Sequence, residues 1–188
     1  MKSGSLIIIA ILLFHSFVYA QRKVTFVEEH IDFSLDSDYF SINGIFSFAN
    51  ESDKNEIQQI MFPFASDSAF IDSIRIVNLN TLTKVEFKKL KRAVVFELVL
   101  PANDTLDLNL FYRQKSATTN RYIITSTKAW GEPLKRAVYS LAADKSLHID
   151  SFTYKPDSIH CINNTRIFLW EMHCFMPDKE FEITLTDD

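Results

Sequence analysis

Apolar side chains recur at every second position along much of this chain. That spacing constrains the fold more than any other feature, because only an extended strand puts residues i, i+2 and i+4 on one face. Over residues 39 to 49 the even positions Phe40, Ile42, Phe46 and Phe48 form one apolar line with Gly44 in its middle, while Ser41, Asn43 and Ser47 fall on the other side. Leu106, Leu108, Leu110 and Tyr112 alternate with Asp107 and Asn109, and Phe181, Ile183 and Leu185 alternate with Glu180, Glu182 and Thr184. Shorter or doubly apolar stretches at 24 to 27, 31 to 35, 57 to 62, 70 to 77, 85 to 87, 93 to 100, 121 to 127, 148 to 154 and 166 to 175 read as further strands. So many strands in one domain imply two packed sheets. The expected fold is all-β, a two-sheet antiparallel β-sandwich of roughly ten or more strands with at most one short helix. The helix candidate begins at Pro133, where Leu134, Ala137, Val138 and Leu141 have helical spacing; a strand with Ala137, Tyr139 and Leu141 on one face fits the same residues.

The turns at 50 to 55, 78 to 83, 101 to 105, 156 to 158 and 177 to 179 are built from Asn, Asp, Ser and Pro, whose side chains or fixed φ can close a turn without glycine. The chain holds only 3 Gly, and after residue 20 only Gly44 and Gly131 remain. A dinucleotide fingerprint, a P-loop and a G-x-S-x-G nucleophile elbow are therefore all impossible. The 20 basic and 24 acidic residues give no broad electrostatic footprint for nucleic acid.

The first twenty residues read as a signal peptide. Lys2 opens a short polar region, residues 6 to 14 are an apolar run, and Val18-Tyr19-Ala20 places small side chains where a signal peptidase inspects them. The run is too short to cross a bilayer core, which takes about 20 residues of helix. Cleavage after Ala20 would leave 21 to 188 as a single β-sandwich domain, secreted or periplasmic, with no membrane span in the mature chain.

Two His-Cys pairs, His160-Cys161 and His173-Cys174, carry ligand types suited to zinc. Neighbours on a strand point to opposite faces, however, which would send Cys174 to the core with Phe168, Trp170 and Met172 and leave His173 on the other side. Glu28-Glu29-His30 and Trp170-Glu171-Met172-His173 lack the helical i, i+4 pairing of a zinc motif. No metal, cofactor or catalytic residue is assigned. Cys161 and Cys174 are the candidate disulfide of an oxidising compartment. If Asn163-Asn164 is the tip of a tight hairpin, Cys161 faces Arg166 and lies about eight residues of strand, or about 26 Å, from Cys174, whereas bridged Cα atoms lie within about 7 Å. The bridge then needs a wide loop over 156 to 165, or a second molecule. Trp130, with Tyr122 and Tyr139, forms a candidate aromatic binding patch, the alternative being a Trp that plugs the end of a sandwich core. Lys84, Lys88, Lys89, Lys91 and Arg92 read as guards of exposed strand edges. Asn50, Asn103 and Asn163 open glycosylation sequons at predicted turns.

The succession of 45 to 50 (IFSFAN), Met61-Phe62-Pro63-Phe64, Phe111-Tyr112-Arg113-Gln114, Tyr122-Ile123-Ile124-Thr125, Trp130-Gly131-Glu132-Pro133 and Trp170 with Phe175-Met176-Pro177 resembles a family of uncharacterised secreted bacterial β-sandwich domains. Their pattern runs F-x-N-x-S, F-P, Y-x-L-T-T, W-x-G-P. This chain departs from it at Gly131, displaced by one position, and at Ser126, where the pattern has a second Thr. The strand and turn order from 24 to 113 also resembles, more weakly, the noncatalytic N-terminal sandwich of zinc aminopeptidases. Both resemblances imply a β-sandwich and carry no catalytic residue. The expectation is a noncatalytic secreted protein that binds an unknown protein or glycan at the cell envelope. The alternative is a small secreted hydrolase of glycans or peptides whose polar residues converge only in three dimensions.

Overall fold

The structure is a computed structural model that describes residues 24–66 and 70–186; the expected signal peptide lies outside the described residues. Chain order among them is β1 (Val24–Leu35), β2 (Tyr39–Asn50), β3 (Glu56–Pro63), β4 (Ile71–Asn78), β5 (Thr83–Lys84), β6 (Lys88–Lys89), β7 (Ala93–Leu100), β8 (Asp104–Lys115) and β9 (Thr119–Tyr122). A 3-10 helix (Thr125–Trp130) follows, then β10 (Leu134–Asp144), β11 (Ile149–Phe152), β12 (Ser158–Ile162), β13 (Thr165–Phe175) and β14 (Phe181–Leu185).

An eight-stranded sheet in the order β12-β13-β10-β1-β2-β8-β4-β5 forms one layer. Two three-stranded sheets, β3-β7-β6 and β11-β14-β9, cover the same face of it. Phe62 of β3 meets Phe46 of β2 at 5.5 Å between ring centroids, and Phe181 of β14 stacks on Phe33 of β1 at 4.9 Å. The second layer is thus split, and its halves adjoin where Phe62 approaches Tyr122 of β9 at 6.4 Å. The all-β sandwich expected from the periodicity is what forms, with two additions. The covering layer is two short sheets rather than one, and β10 runs parallel to β1 while the other strand pairs are antiparallel. The strand reading of 133 to 141 prevails over the helical one, because Ala137, Tyr139 and Leu141 are all fully buried on one face.

Four expected strand segments differ. The segments at 24 to 27 and 31 to 35 are one strand, β1, broken in register between Phe26 and Glu28. That bulge inserts a residue and switches the inward face from Val24 and Phe26 to Glu29, Ile31, Phe33 and Leu35. Residues 85 to 87 are not a strand but the crossing from β5, at the edge of the large sheet, to β6, at the edge of a small one, with Val85 and Phe87 packed against the core. Strand 121 to 127 stops at Tyr122, because the Glu180 carboxylate accepts hydrogen bonds from the backbone N–H groups of Ile124 and Thr125 and from the Thr125 hydroxyl. Those bonds replace a strand partner and start the 3-10 helix. Gly131 ends it at φ +82°, and its N–H donates to the Lys128 carbonyl. Lys84 on β5 and Lys88 and Lys89 on β6 are exposed on edge strands, the placement of edge guards.

Candidate functional site

Where the two small sheets part, a cavity of about 530 Å³ opens against the large sheet. Its floor is Phe26 and Glu29 of β1, Phe46 and Phe48 of β2 and Leu108 of β8; β3 supplies one wall, and Ser126, Thr127, Ala129 and Trp130 of the 3-10 helix supply another. The helix is held at this rim by the Glu180 bonds, so a side chain on the far loop sets the shape of the opening. Trp130 packs against Phe48 at 5.3 Å and Phe26 at 6.0 Å. Phe26 in turn stacks on Phe48 at 5.1 Å.

Among the described residues, Glu29 is the one acidic or basic side chain in this lining, and it is only 4% exposed. The Tyr139 hydroxyl donates to its Oε1, and Tyr122 hydrogen-bonds the same carboxyl. Burial removes the carboxylate from water and pushes its pKa up to about 7, against the opposing pull of the two tyrosine hydrogen bonds. Tyr122 and Tyr139 are pushed well above the usual phenol value, by burial first and by the Glu29 charge second, and so remain donors. Tyr112, also fully buried and pushed up by burial, has a hydroxyl without a hydrogen-bond partner.

Sequence reasoning missed Glu29 as a site residue. The available signal was the parity of β1: Ile31, Phe33 and Leu35 define an odd inward face on which a carboxylate stands two positions upstream. The candidate aromatic patch is corrected in kind. Tyr122 and Tyr139 are 1% and 0% exposed, so they cannot stack on a sugar at the surface; Tyr122 and Trp130 line the cavity, and Tyr139 lies outside the lining as a hydrogen-bond partner of Glu29.

The His-Cys pairs stay apart. Asn163-Asn164 is a hairpin tip, with His160 opposite Ile167 and Cys161 opposite Arg166, which leaves His160 about 20 Å of strand from His173 and Cys161 about 26 Å from Cys174. Both cysteines are free and exposed, and the tight hairpin is what separates the candidate disulfide partners within one chain. Cys174 is not in the core with Phe168 and Trp170 as expected. Its backbone takes φ +49°, which breaks the strand alternation and turns the thiol outward. Of the three sequon asparagines, Asn103 and Asn163 are exposed in turns. Asn50 is buried, its Nδ2 donating to the carbonyls of Lys54, Leu100 and Pro101, so its amide serves as a clamp between β2 and β7 and is closed to a glycan.

No protein-family model matches the sequence, and no curated protein matches it significantly. Solved structures do. A protein of Legionella pneumophila described as a "putative nutrient binding protein" superposes with a TM-score of 0.72 at 13% identity, over 87% of this chain and 67% of that one. An M1 zinc metallopeptidase of Deinococcus radiodurans gives 0.55 at 9% identity over 87% of this chain, and yeast LTA4 hydrolase gives 0.50 at 11% identity over the same share. This chain spans 43% of the metallopeptidase and 29% of the yeast enzyme. The structural similarity to the zinc aminopeptidases expected from the strand order is therefore found, at the level of fold.

Proposed function

We propose that the protein is exported and acts at the cell envelope as a noncatalytic β-sandwich that holds a small apolar molecule in the cavity beside Glu29. The observation that carries this reading is the lining itself: aromatic and aliphatic side chains around a single buried carboxyl, the pattern of a small-molecule site. A glycan would need a lining richer in hydrogen-bonding groups than Glu29, Gln58, Gln59, Ser126 and Thr127 among mostly apolar neighbours. A protein surface could not enter a space of about 530 Å³. The resemblance in fold to a protein described as nutrient binding supports the same direction.

The pKa of Glu29 is the one observation that favours the hydrolase reading, since perturbed carboxyls gather at catalytic sites. Glycoside hydrolysis canonically uses a pair of carboxyls, and among the described residues the lining holds one. Native mass spectrometry of the protein isolated from its own envelope fraction tests the proposal. It should begin at Gln21 and carry one small molecule per chain, released on unfolding. A bare protein that turns over an ester, peptide or glycan substrate, with the activity lost in Glu29→Gln, would replace binding by hydrolysis. An intact Met1 on a cytoplasmic product would remove the envelope from the account.

A further inference from the structure

The cavity joins two features that rarely share a ligand site by chance. Its surface is dominated by the rings of Phe26, Phe46, Phe48, Phe62 and Trp130, which select an apolar or aromatic body. Its one acidic group among the described residues, Glu29, lies at the floor, hydrogen-bonded by Tyr139, which stands outside the lining, and by Tyr122, which shares it. Among the described residues, no Lys, Arg or His lines the cavity to neutralise that carboxyl. A buried acid without a counter-charge is compensated in one of two ways, by keeping its proton or by receiving a cation.

We propose that the ligand is an organic amine with an apolar, preferably aromatic, body, whose ammonium group pairs with the Glu29 carboxylate while its body packs among the Phe and Trp rings. The inference rests on the reading of the cavity as a small-molecule site and adds the chemical class of the occupant. The ammonium supplies the missing counter-charge through a charge-assisted hydrogen bond, and the surrounding rings present their negative faces to a cation. A carboxylic acid of the same shape would bring a second negative charge to a buried one and is disfavoured. A neutral alcohol can fill the space and donate a hydrogen bond, but leaves the carboxyl uncompensated.

The proton balance follows. Near neutral pH part of the free protein holds Glu29 in its acid form. Docking an ammonium group ionises the carboxyl, so that proton passes to the buffer while the amine keeps its own. Binding is then accompanied by release of up to one proton per ligand at pH 6, falling toward zero at pH 8.

The test is calorimetry of the protein with 2-phenylethylamine, 2-phenylethanol and 3-phenylpropanoate, three probes of nearly one shape with different head groups. At pH 7.5 the amine should bind about tenfold or more tighter than the other two, the difference a charge-assisted bond makes. Repeating the amine titration at pH 6 in buffers of different ionisation enthalpy should report proton release from the wild-type protein, a readout that needs no variant. Glu29→Gln should bring the amine and the alcohol to within about twofold of each other. If the alcohol or the carboxylate binds as tightly as the amine, or if amine binding takes up or leaves unchanged the proton count at pH 6, the amine proposal is wrong while the small-molecule site stands. If none of the three binds, the cavity reading itself fails.

Discussion

Burial of Glu29 makes the stability of the whole sandwich depend on pH in a direction opposite to that of most carboxylates. Its folded pKa of about 7 lies above the ordinary glutamate value of 4.5. Between those two values the native state binds more proton than the unfolded chain, so stability is fully present below 4.5 and falls as pH rises through 7. At 1.36 kcal/mol per unit, the shift amounts to about 3 kcal/mol in all, and about 2.5 kcal/mol of it falls between pH 5 and pH 8. Asp72 and Asp144 have lowered pKa values, through hydrogen bonds from Arg113 and Ser146 respectively. Their contributions are lost only as pH falls below the usual carboxylate range, outside this window. The assay is urea unfolding of the wild-type protein and of Glu29→Gln at pH 5, 6, 7 and 8. Subtracting the variant from the wild type cancels groups that titrate alike in both. The wild type should lose about 2.5 kcal/mol relative to the variant across the series, with the steepest change near pH 6. A difference that stays flat, or one that grows in favour of the wild type with rising pH, would refute the claim that this carboxyl is buried without a counter-charge.

Three further outcomes test the surroundings of the site. A Cβ at Gly44 would stand 2.5 Å from Cε2 of Phe46 and 2.7 Å from Cδ1 of Ile31, so Gly44→Ala should destabilise the protein by about 1 to 2 kcal/mol in chemical denaturation, overpacking outweighing the gain from removing a strand glycine; no loss would mean the β2 core is looser than described. Glu180→Ala removes three hydrogen bonds from the start of the 3-10 helix, and should cost about 2 kcal/mol and raise hydrogen exchange over 125 to 130; unchanged exchange there would show that the helix does not depend on this latch. Tyr112→Phe deletes a buried hydroxyl that has no partner, and should leave stability unchanged or raise it by about 1 kcal/mol; a loss above that size would reveal a partner for the hydroxyl.

The long strands were legible because their inner faces keep strict parity. Phe40, Ile42, Phe46 and Phe48 on β2 and Leu106, Leu108, Leu110 and Tyr112 on β8 are all buried, as the alternation required. What escaped the sequence were the places where parity breaks. The bulge after Phe26 puts Glu29 out of phase with Val24 and Phe26, so that only the parity counted back from Ile31 gives its inward position, and the positive φ at Cys174 turned a predicted core thiol to solvent. The 3-10 helix was hidden for a different reason: the carboxylate that starts it is Glu180, 56 residues from Ile124, and no local pattern carries so distant a bond. The cavity likewise depends on the parting of two small sheets, a matter of tertiary assembly. Tyr122, Tyr139 and Trp130 were singled out for their aromatic character and do converge, but inside the molecule, where the physics of a buried carboxyl replaces that of a surface platform.

The most direct measurement of the central claim is methyl-resolved nuclear magnetic resonance of the protein titrated with the small-molecule extract of its own envelope fraction. Ile60 and Leu108 are buried and line the cavity, whereas Ile159 and Ile162 are exposed on β12 at the far edge of the large sheet. The account predicts that the Ile60 and Leu108 methyl signals shift and saturate while those of Ile159 and Ile162 stay in place. Shifts confined to Ile159 and Ile162, with the cavity methyls unmoved, would place recognition on the outer surface and contradict the cavity as the binding site.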